Sequence, residues 1–518
     1  MSQPIEHPQA IQVEGEKVEV DTTYGRLEGN QFDLHQEFLG VPFAKPPTGT
    51  RRFCAPEPME PWTGVRSATA FGHSAIQGTH PIPGMAASGP RDEDCLYLNV
   101  YTPAADNAKR PVMFWIHGGG FVLGSGSEPL YNGAPLAQRG DVVVVTIHYR
   151  LGALGYLHLG DHGGKAWGAT ANAGQLDQIA ALHWVRDNIE TFGGDAGNVT
   201  VFGESAGSAA VATLLAMPAA NGLFRRAILQ SGAANLLGNA ESAARVTSAL
   251  LEKLGIAGSD ATPLRTLPAE AILEAQLAVS GQLGLGGFVP IVDGMTVPVN
   301  PLEAVANGSA RNIEVVIGTN RDEMKLFNVS TNRKPLDDAA LIERVRLILG
   351  RRGAQHAADV VAVYRRSREG RLPATNLDLL DAIQSDAQFR IPSIRLAEAQ
   401  RTHQSRTFMF LFVWESPARR GALGACHALE LPFVFGTLDA PTQDRFAGTG
   451  PAVRELSSQM MDAWLAFARG GDPSHSGIGT WLPYDHNRRA TMLFGAQCEL
   501  ADAPFEGERA AWDVLTQG

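Results

Sequence analysis

Along this chain, short and nearly continuous apolar runs alternate with amphipathic stretches. "PVMFWIHGGG" ends in glycines and "DVVVVTIHYR" is rich in β-branched residues. "NVTVFGES", "RRAILQSG", "IEVVIGTN" and "TFMFLFVW" follow the same style. Such runs suit strands of a sheet covered on both faces. Helical patterns lie between several of them. "GQLDQIAALHWVRDNIETF" sets Leu176, Ile179, Ala180, Leu182, Trp184 and Ile189 near one stripe. "VRELSSQMMDAWLAFARGG" is a second helix, closed by Gly470–Gly471. Near the start, "KVEVDTTYGRLEGN" alternates and turns at Tyr24–Gly25, the signature of a hairpin. The glycine-rich "SGQLGLGGF" reads as a loop. The alternation predicts an α/β fold: a large central, mostly parallel sheet, an N-terminal antiparallel hairpin, and helices on both faces. No composition shift, repeat or low-complexity tract divides the chain. The expected organisation is a flexible N-terminus over 1–12 and a single domain over 13–518.

Composition narrows the partners. With 44% hydrophobic and 19% charged residues, the 518-residue chain has a globular balance. Its net charge of -11 argues against nucleic acid, which calls for a basic face. The opening "MSQPIEHPQAIQVEGEKVEV" has neither the basic start nor the apolar segment of a secretory signal. No apolar run reaches the length of a membrane span. A cytoplasmic protein with no membrane partner is expected, as a monomer or small homo-oligomer. Cys54, Cys95, Cys426 and Cys498 are too widely spaced for a metal motif, so reduced thiols and no metal are expected.

The chemistry starts at "VTVFGESAGSAAVATLLAM", Val199 to Met217, which begins as a buried strand and ends as a small-residue helix. Ser205 stands at the change, flanked by Gly203 and Gly207. A strand that turns into a helix at one residue strains that residue, and small neighbours relieve the crowding. The turn lifts the hydroxyl above the sheet, beside the positive end of the next helix. This is the nucleophile-elbow pattern of α/β hydrolases. A serine nucleophile needs a base, an acid that orients the base, and donors for the oxyanion. His427 in "GACHALELPFVFG" stands out among fourteen histidines. In "IEVVIGTNRDEMKLF", Asp322 and Glu323 follow a strand end, where ligands collect in α/β sheets. The order Ser205, Glu323, His427 is that of nucleophile, acid and base in the hydrolases. The glycines of "WIHGGGF" let backbone N–H groups approach a ligand and serve as an oxyanion hole.

These motifs together resemble the type-B carboxylesterases, the family of cholinesterases and bacterial p-nitrobenzyl-type esterases. The likeness runs from about Val18 through nearly the whole chain. "FGGDAGNVTVFGESAG" and "EDCLYLNVYTP" match the two family signatures. "FLGVPFAKPPTGTRRF", "FVPIVDGMTVP" and "HALELPFVFG" fit as well. The resemblance implies an α/β-hydrolase fold and a serine carboxylesterase acting on small-molecule esters through an acyl-enzyme, without metal or organic cofactor. It implies Ser205 as nucleophile, His427 as base and Glu323 as acid, preferred to Asp322. It implies oxyanion donors at the N–H groups of Gly119, Gly120 and Ala206, with His117 shaping the loop. Arg52 and Glu93 match a buried ion pair, and Ser231 with Glu204 a buried polar group behind the nucleophile.

Departures from the family pattern also carry information. Cys95 matches half of a family disulfide whose partner position falls near Ile76, so that bridge is absent. Met85 stands where cholinesterases carry a tryptophan for quaternary ammonium, which disfavours choline esters. Glycines at Gly238, Gly284 and Gly286 replace bulky acyl-pocket positions, which implies a roomy acyl side. Met324 replaces the glycine that usually follows the acid. The loop from His80 to Asp92 is the candidate for a lid. Two rival readings remain: an amidase or carbamate hydrolase with the same triad, and a non-catalytic binding member of the fold.

Overall fold

A computed structural model describes residues 12–80, 84–160, 167, 170–257, 260–283, 287–328 and 333–513. Residues 1–11 of the expected flexible N-terminus lie outside the described residues. The chain separates into two units. One comprises Met1–Val201, Gly222–Arg225 and Ala240–Val289; the other comprises Phe202–Asn221, Arg226–Asn239 and Pro290–Gly518.

In the first unit, β1 (Gln12–Thr22) and β2 (Gly25–Phe32) form the hairpin, with Thr22 opposite Gly25. The turn is therefore Thr23–Tyr24, one residue earlier than the pattern suggests. The Thr22 hydroxyl accepts from the N–H groups of Tyr24 and Gly25 at 3.2 Å and fixes it there. Antiparallel pairing continues through β3 (Gln36–Pro42), β5 (Tyr97–Thr102) and β7 (Val143–Ile147), while β4 (Val65–Ser67) lies parallel to β2. β6 (Arg110–Ile116) pairs parallel with β7. Every residue of β6 and β7 is buried, which accounts for their unbroken apolar sequences. The last strand to start in this unit is β8 (Gly194–Glu204).

Two departures from the sequence pattern have physical causes. The helix Ala173–Asn188 buries Gln175, Asp177 and Gln178 as well as its apolar stripe, while Leu176 and Ala180 are only half-buried. Asp177 draws the polar face inward by pairing bidentately with buried Arg150, at 2.8 and 2.6 Å. The first part of "SGQLGLGGF" is helical, because the helix Ala269–Leu283 runs through it.

In the second unit, β9 (Arg226–Gln230), β12 (Glu314–Asn320), β13 (Thr407–Phe412) and β14 (Ala490–Phe494) are parallel neighbours, and β15 (Glu499–Asp502) closes the edge antiparallel. β10 (Gly238–Asn239) and β11 (Ile291–Val292) form a separate short parallel pair. The helix Pro451–Gly470 ends, as its sequence suggests, at a left-handed Gly471 with φ 74°. Its Trp464 packs edge-on against Phe410 of β13, at 5.3 Å between ring centroids. The carboxyl ends of β8, β9 and β12 lead into Ser205, Ser231 and the loop Arg321–Met324, which assembles the site.

No helix among the described residues is long and apolar enough to cross a membrane. All four cysteines are free thiols; Cys95 and Cys426 are buried, Cys54 and Cys498 half-buried.

Candidate active site

Ser205, Glu323 and His427 all belong to the second unit. Ser205 links β8 directly to the helix Ala206–Leu214 and carries the strain of the turn, at φ 56° and ψ -123°. Neither Gly203 nor Gly207 has a positive φ, so the glycines supply space and the serine supplies the bend. Two backbone bonds hold the bend. The Ser205 N–H donates to Gln230 O at 2.9 Å, and Ser205 O accepts from Ala209 N–H at 2.9 Å. A Cβ on Gly232 would lie 2.3 Å from Ser205 O, so only glycine lets β9's exit pass behind the elbow. Ser231, itself at φ 51°, is buried there, and its hydroxyl has no hydrogen-bond partner among the described residues. Ser205 is half-buried between fully buried neighbours, and its hydroxyl bonds to no described residue.

Glu323 is completely buried and both its oxygens are used. Oε1 accepts from the Asn320 N–H at 2.7 Å, and Oε2 lies 2.6 Å from His427 Nδ1. In the neutral imidazole that can act as a base, Nδ1 donates to this carboxyl and Nε2 is the acceptor; in the imidazolium both nitrogens carry protons. Asp322 has another task. It pairs with Arg321 at 2.7 Å and accepts from Ala425 N–H at 3.0 Å, bracing the loop that bears His427. Its carboxyl sits below the usual range: burial opposes this, and the charges of Arg321 and Lys325 prevail. The Met324 N–H donates to Ser385 Oγ at 3.0 Å, so the residue that replaces glycine here is tied down.

On its other side, His427 Nε2 lies 3.0 Å from Glu204 Oε1. The approach is off the N–H axis, and Glu204 Oε1 makes no aligned hydrogen bond. Burial alone would keep the imidazole neutral, but the Glu204 and Glu323 carboxylates outweigh it and hold His427 well above its ordinary 6.5. Burial also raises Glu204, against the pull of His427.

Glu430 is a member of this cluster that the sequence reading passed over. It is buried, with Oε2 accepting from Asn320 Nδ2 at 2.6 Å and Oε1 from Gln230 Nε2 at 3.1 Å. Trp464 Nε1 fixes the same Gln230 at 3.0 Å. Burial, together with repulsion from Glu204 and Glu323, pushes Glu430 up to about 8. The available signal was an acid three residues after His427, at the start of an apolar run. Two half-buried aromatics flank the imidazole: Phe327 at 5.1 Å and Phe389 at 4.8 Å between centroids, each tilted by 43°.

The other expected residues fall as follows. Ala206 opens the helix after Ser205, where its N–H has no intrahelical partner. Gly119 and Gly120 lie in the first unit with φ of 106° and 63°. A Cβ on Gly119 would meet Leu123 O at 2.2 Å, so the loop requires glycine. His117 donates through Nδ1 to Gly118 O at 2.8 Å and stacks on Tyr149, and burial lowers it to about 3, so it stays neutral. Arg52 and Glu93 form their ion pair, with Arg52 Nε 2.7 Å from Glu93 Oε2. Met85 is half-buried in the first unit. The loop beyond it is tied: Ala87 N–H donates to Gln77 Oε1 and Ser88 N–H to Glu128 Oε1, both at 2.9 Å. Gly238 pairs with Ile291 and donates to Pro290 O at 2.8 Å. Gly284 and Gly286 lie outside the described residues.

A strained serine between a parallel strand and a helix, with an acid after a later strand and a histidine in the loop beyond the next one, defines an α/β hydrolase. The fold is that of the class: a large, mostly parallel sheet with an antiparallel N-terminal hairpin and helices. Comparison with known proteins sharpens this. The Carboxylesterase family matches over residues 16–512, and the chain belongs to it. The para-nitrobenzyl esterase of Bacillus subtilis is 41% identical over 95% of this chain and 97% of its own. The phenmedipham hydrolase of Pseudarthrobacter oxydans is 37% identical over 92% of this chain and 94% of its own. The crystal structure of a Geobacillus stearothermophilus carboxylesterase superimposes with a TM-score of 0.86 at 42% identity, covering 95% of this chain and 99% of that one. The protein is thus a carboxylic ester hydrolase.

Proposed function

We propose that ester hydrolysis here runs in two steps through an acyl-enzyme on Ser205. His427 Nε2 takes the hydroxyl proton as Ser205 Oγ attacks the ester carbonyl. The same imidazolium then protonates the departing alcohol. Water, deprotonated by the same nitrogen, releases the acid. Glu323 holds the tautomer and offsets the imidazolium charge. The observation that carries this reading is the 2.6 Å contact between Glu323 Oε2 and His427 Nδ1, with the strained Ser205 in the same unit. The oxyanion donors in this reading are the N–H groups of Gly119, Gly120 and Ala206. Their support is the glycine-only backbone of the first two and the helix-start position of the third.

The substrate side is read as open on the acyl half, because glycine stands at Gly238, Gly284 and Gly286. Met85 supplies no aromatic face for a quaternary ammonium. A cytoplasmic site of action fits the free thiols. The relative that hydrolyses phenmedipham favours a second reading, in which that compound is also a substrate of this chain. Hydrolysis of p-nitrophenyl acetate, butyrate and octanoate by the wild type and by Ser205→Ala tests the proposal, with phenmedipham as a further substrate. Activity on all three esters, lost in the variant, supports it. Activity that survives in Ser205→Ala removes the nucleophile assignment, and activity confined to acetate removes the open acyl side.

A further inference from the structure

The helix Asn376–Ser385 passes into a π-helical turn, Asp386–Arg390, before the helix Ile391–Arg401 begins. Single π turns are rare and concentrate at functional sites. This one is held from several directions. Arg390 pairs bidentately with Asp386, at 2.7 and 2.6 Å, and both are buried. Tyr364 OH also bonds Asp386, and Trp512 of the C-terminal helix donates to that hydroxyl at 2.8 Å. Glu508 of the same helix lies 3.8 Å from Arg390. Asn235 Nδ2 donates to Gln388 O at 2.9 Å. Ser385, just before the turn, receives the Met324 N–H beside Glu323. The side chain these anchors aim is Phe389, half-buried, with its ring 4.8 Å from that of His427.

From this geometry we infer that Phe389 is a positioning residue for His427, set by the π turn so that its ring, tilted by 43°, lies against the imidazole where positive charge develops. The inference rests on the Ser205–His427 reading above. Buried polar anchors on three sides are a costly way to seat a merely space-filling ring. An aromatic face attracts a cation, most strongly when both are sheltered from water. The imidazolium forms in both transition states from the neutral base that starts each step, so above the acid limb the benefit falls on turnover and not on substrate affinity.

The test compares Phe389→Tyr, Phe389→Leu and Phe389→Met with the wild type, measuring kcat and KM on p-nitrophenyl acetate and butyrate. Thermal unfolding of each checks that it folds, and Met serves if Leu does not. The expected result is a kcat within about twofold of wild type for Tyr. For Leu and Met, kcat falls about tenfold, equally on both esters, with KM little changed. Leu or Met performing as well as Tyr overturns the inference, since volume alone would then suffice. A loss that spares acetate and grows with acyl length also overturns it, since Phe389 would be a wall of the acyl pocket. Wild-type turnover and its loss in Ser205→Ala decide the esterase reading separately; the ratio of the Leu to the Tyr rate decides this one.

Discussion

Replacing Glu204 by glutamine isolates the electrostatic part of the site. In the wild type, Glu204 Oε1 stands 3.0 Å from His427 Nε2, the nitrogen proposed to take the Ser205 proton. At that separation a full charge pair is worth about 5 kcal/mol at an effective dielectric of about 20. Only part of this acts on His427. The contact is off-axis, and burial already drives Glu204 toward its neutral form. A share of about 1.4–3 kcal/mol corresponds to about one to two pH units. The sign follows from the charge removed. Glutamine leaves the imidazolium less stabilised, so the pKa of His427 falls and the neutral base persists to lower pH. The acid limb of kcat/KM reports this group in the free enzyme. In the wild type that limb should lie above the ordinary imidazole value of 6.5, because His427 is raised. In Glu204→Gln it should move down by about one to two units, with the alkaline plateau reduced less than tenfold. The assay is p-nitrophenyl butyrate hydrolysis from about pH 5 to 9, followed at the isosbestic point of the product. A limb that stays in place or moves up refutes the electrostatic account of the Glu204–His427 contact.

Two further predictions concern the other carboxyls. Glu323→Gln should lower kcat at neutral pH by about 10³–10⁴-fold through loss of the correct tautomer, and a loss below tenfold would reject Glu323 as the orienting acid. Glu430 is raised to about 8 from its ordinary 4.5, so the native state holds a proton that the unfolded chain has released across that window. Stability from this group is full below about pH 4.5 and declines as pH rises toward 8. The gap in Tm between Glu430→Gln and wild type should therefore shift in favour of the variant from pH 5 to 8. A gap constant with pH would show that Glu430 does not titrate there.

What the sequence could show here follows from where the information lies. β6, β7, β9 and β13 are legible because each is buried along its whole length, and burial leaves an unbroken apolar run. Ser205 is legible because its strain demands small neighbours adjacent in the chain. Glu323 and His427 stand out by their place after a strand and in a loop, and family resemblance separates Glu323 from Asp322. The polar interior of the helix Ala173–Asn188 is not legible, since Asp177 is turned inward by Arg150, twenty-seven residues away. Glu430 reads as an ordinary helix-start acid until Gln230 and Asn320 are brought against it from distant strands. Phe389 depends on a π turn, which has no periodicity of its own in the sequence, and on anchors from the C-terminal helix. In each case the missing information is a long-range contact.

The most direct test of the account is to trap the acyl-enzyme. Wild-type protein mixed with a p-nitrophenyl ester and quenched in acid within the first turnover should gain one acyl group in intact mass. Peptide mapping should place it on Ser205. A burst of nitrophenol with no added mass, or an acyl group found on any other residue, would contradict the mechanism proposed for this site.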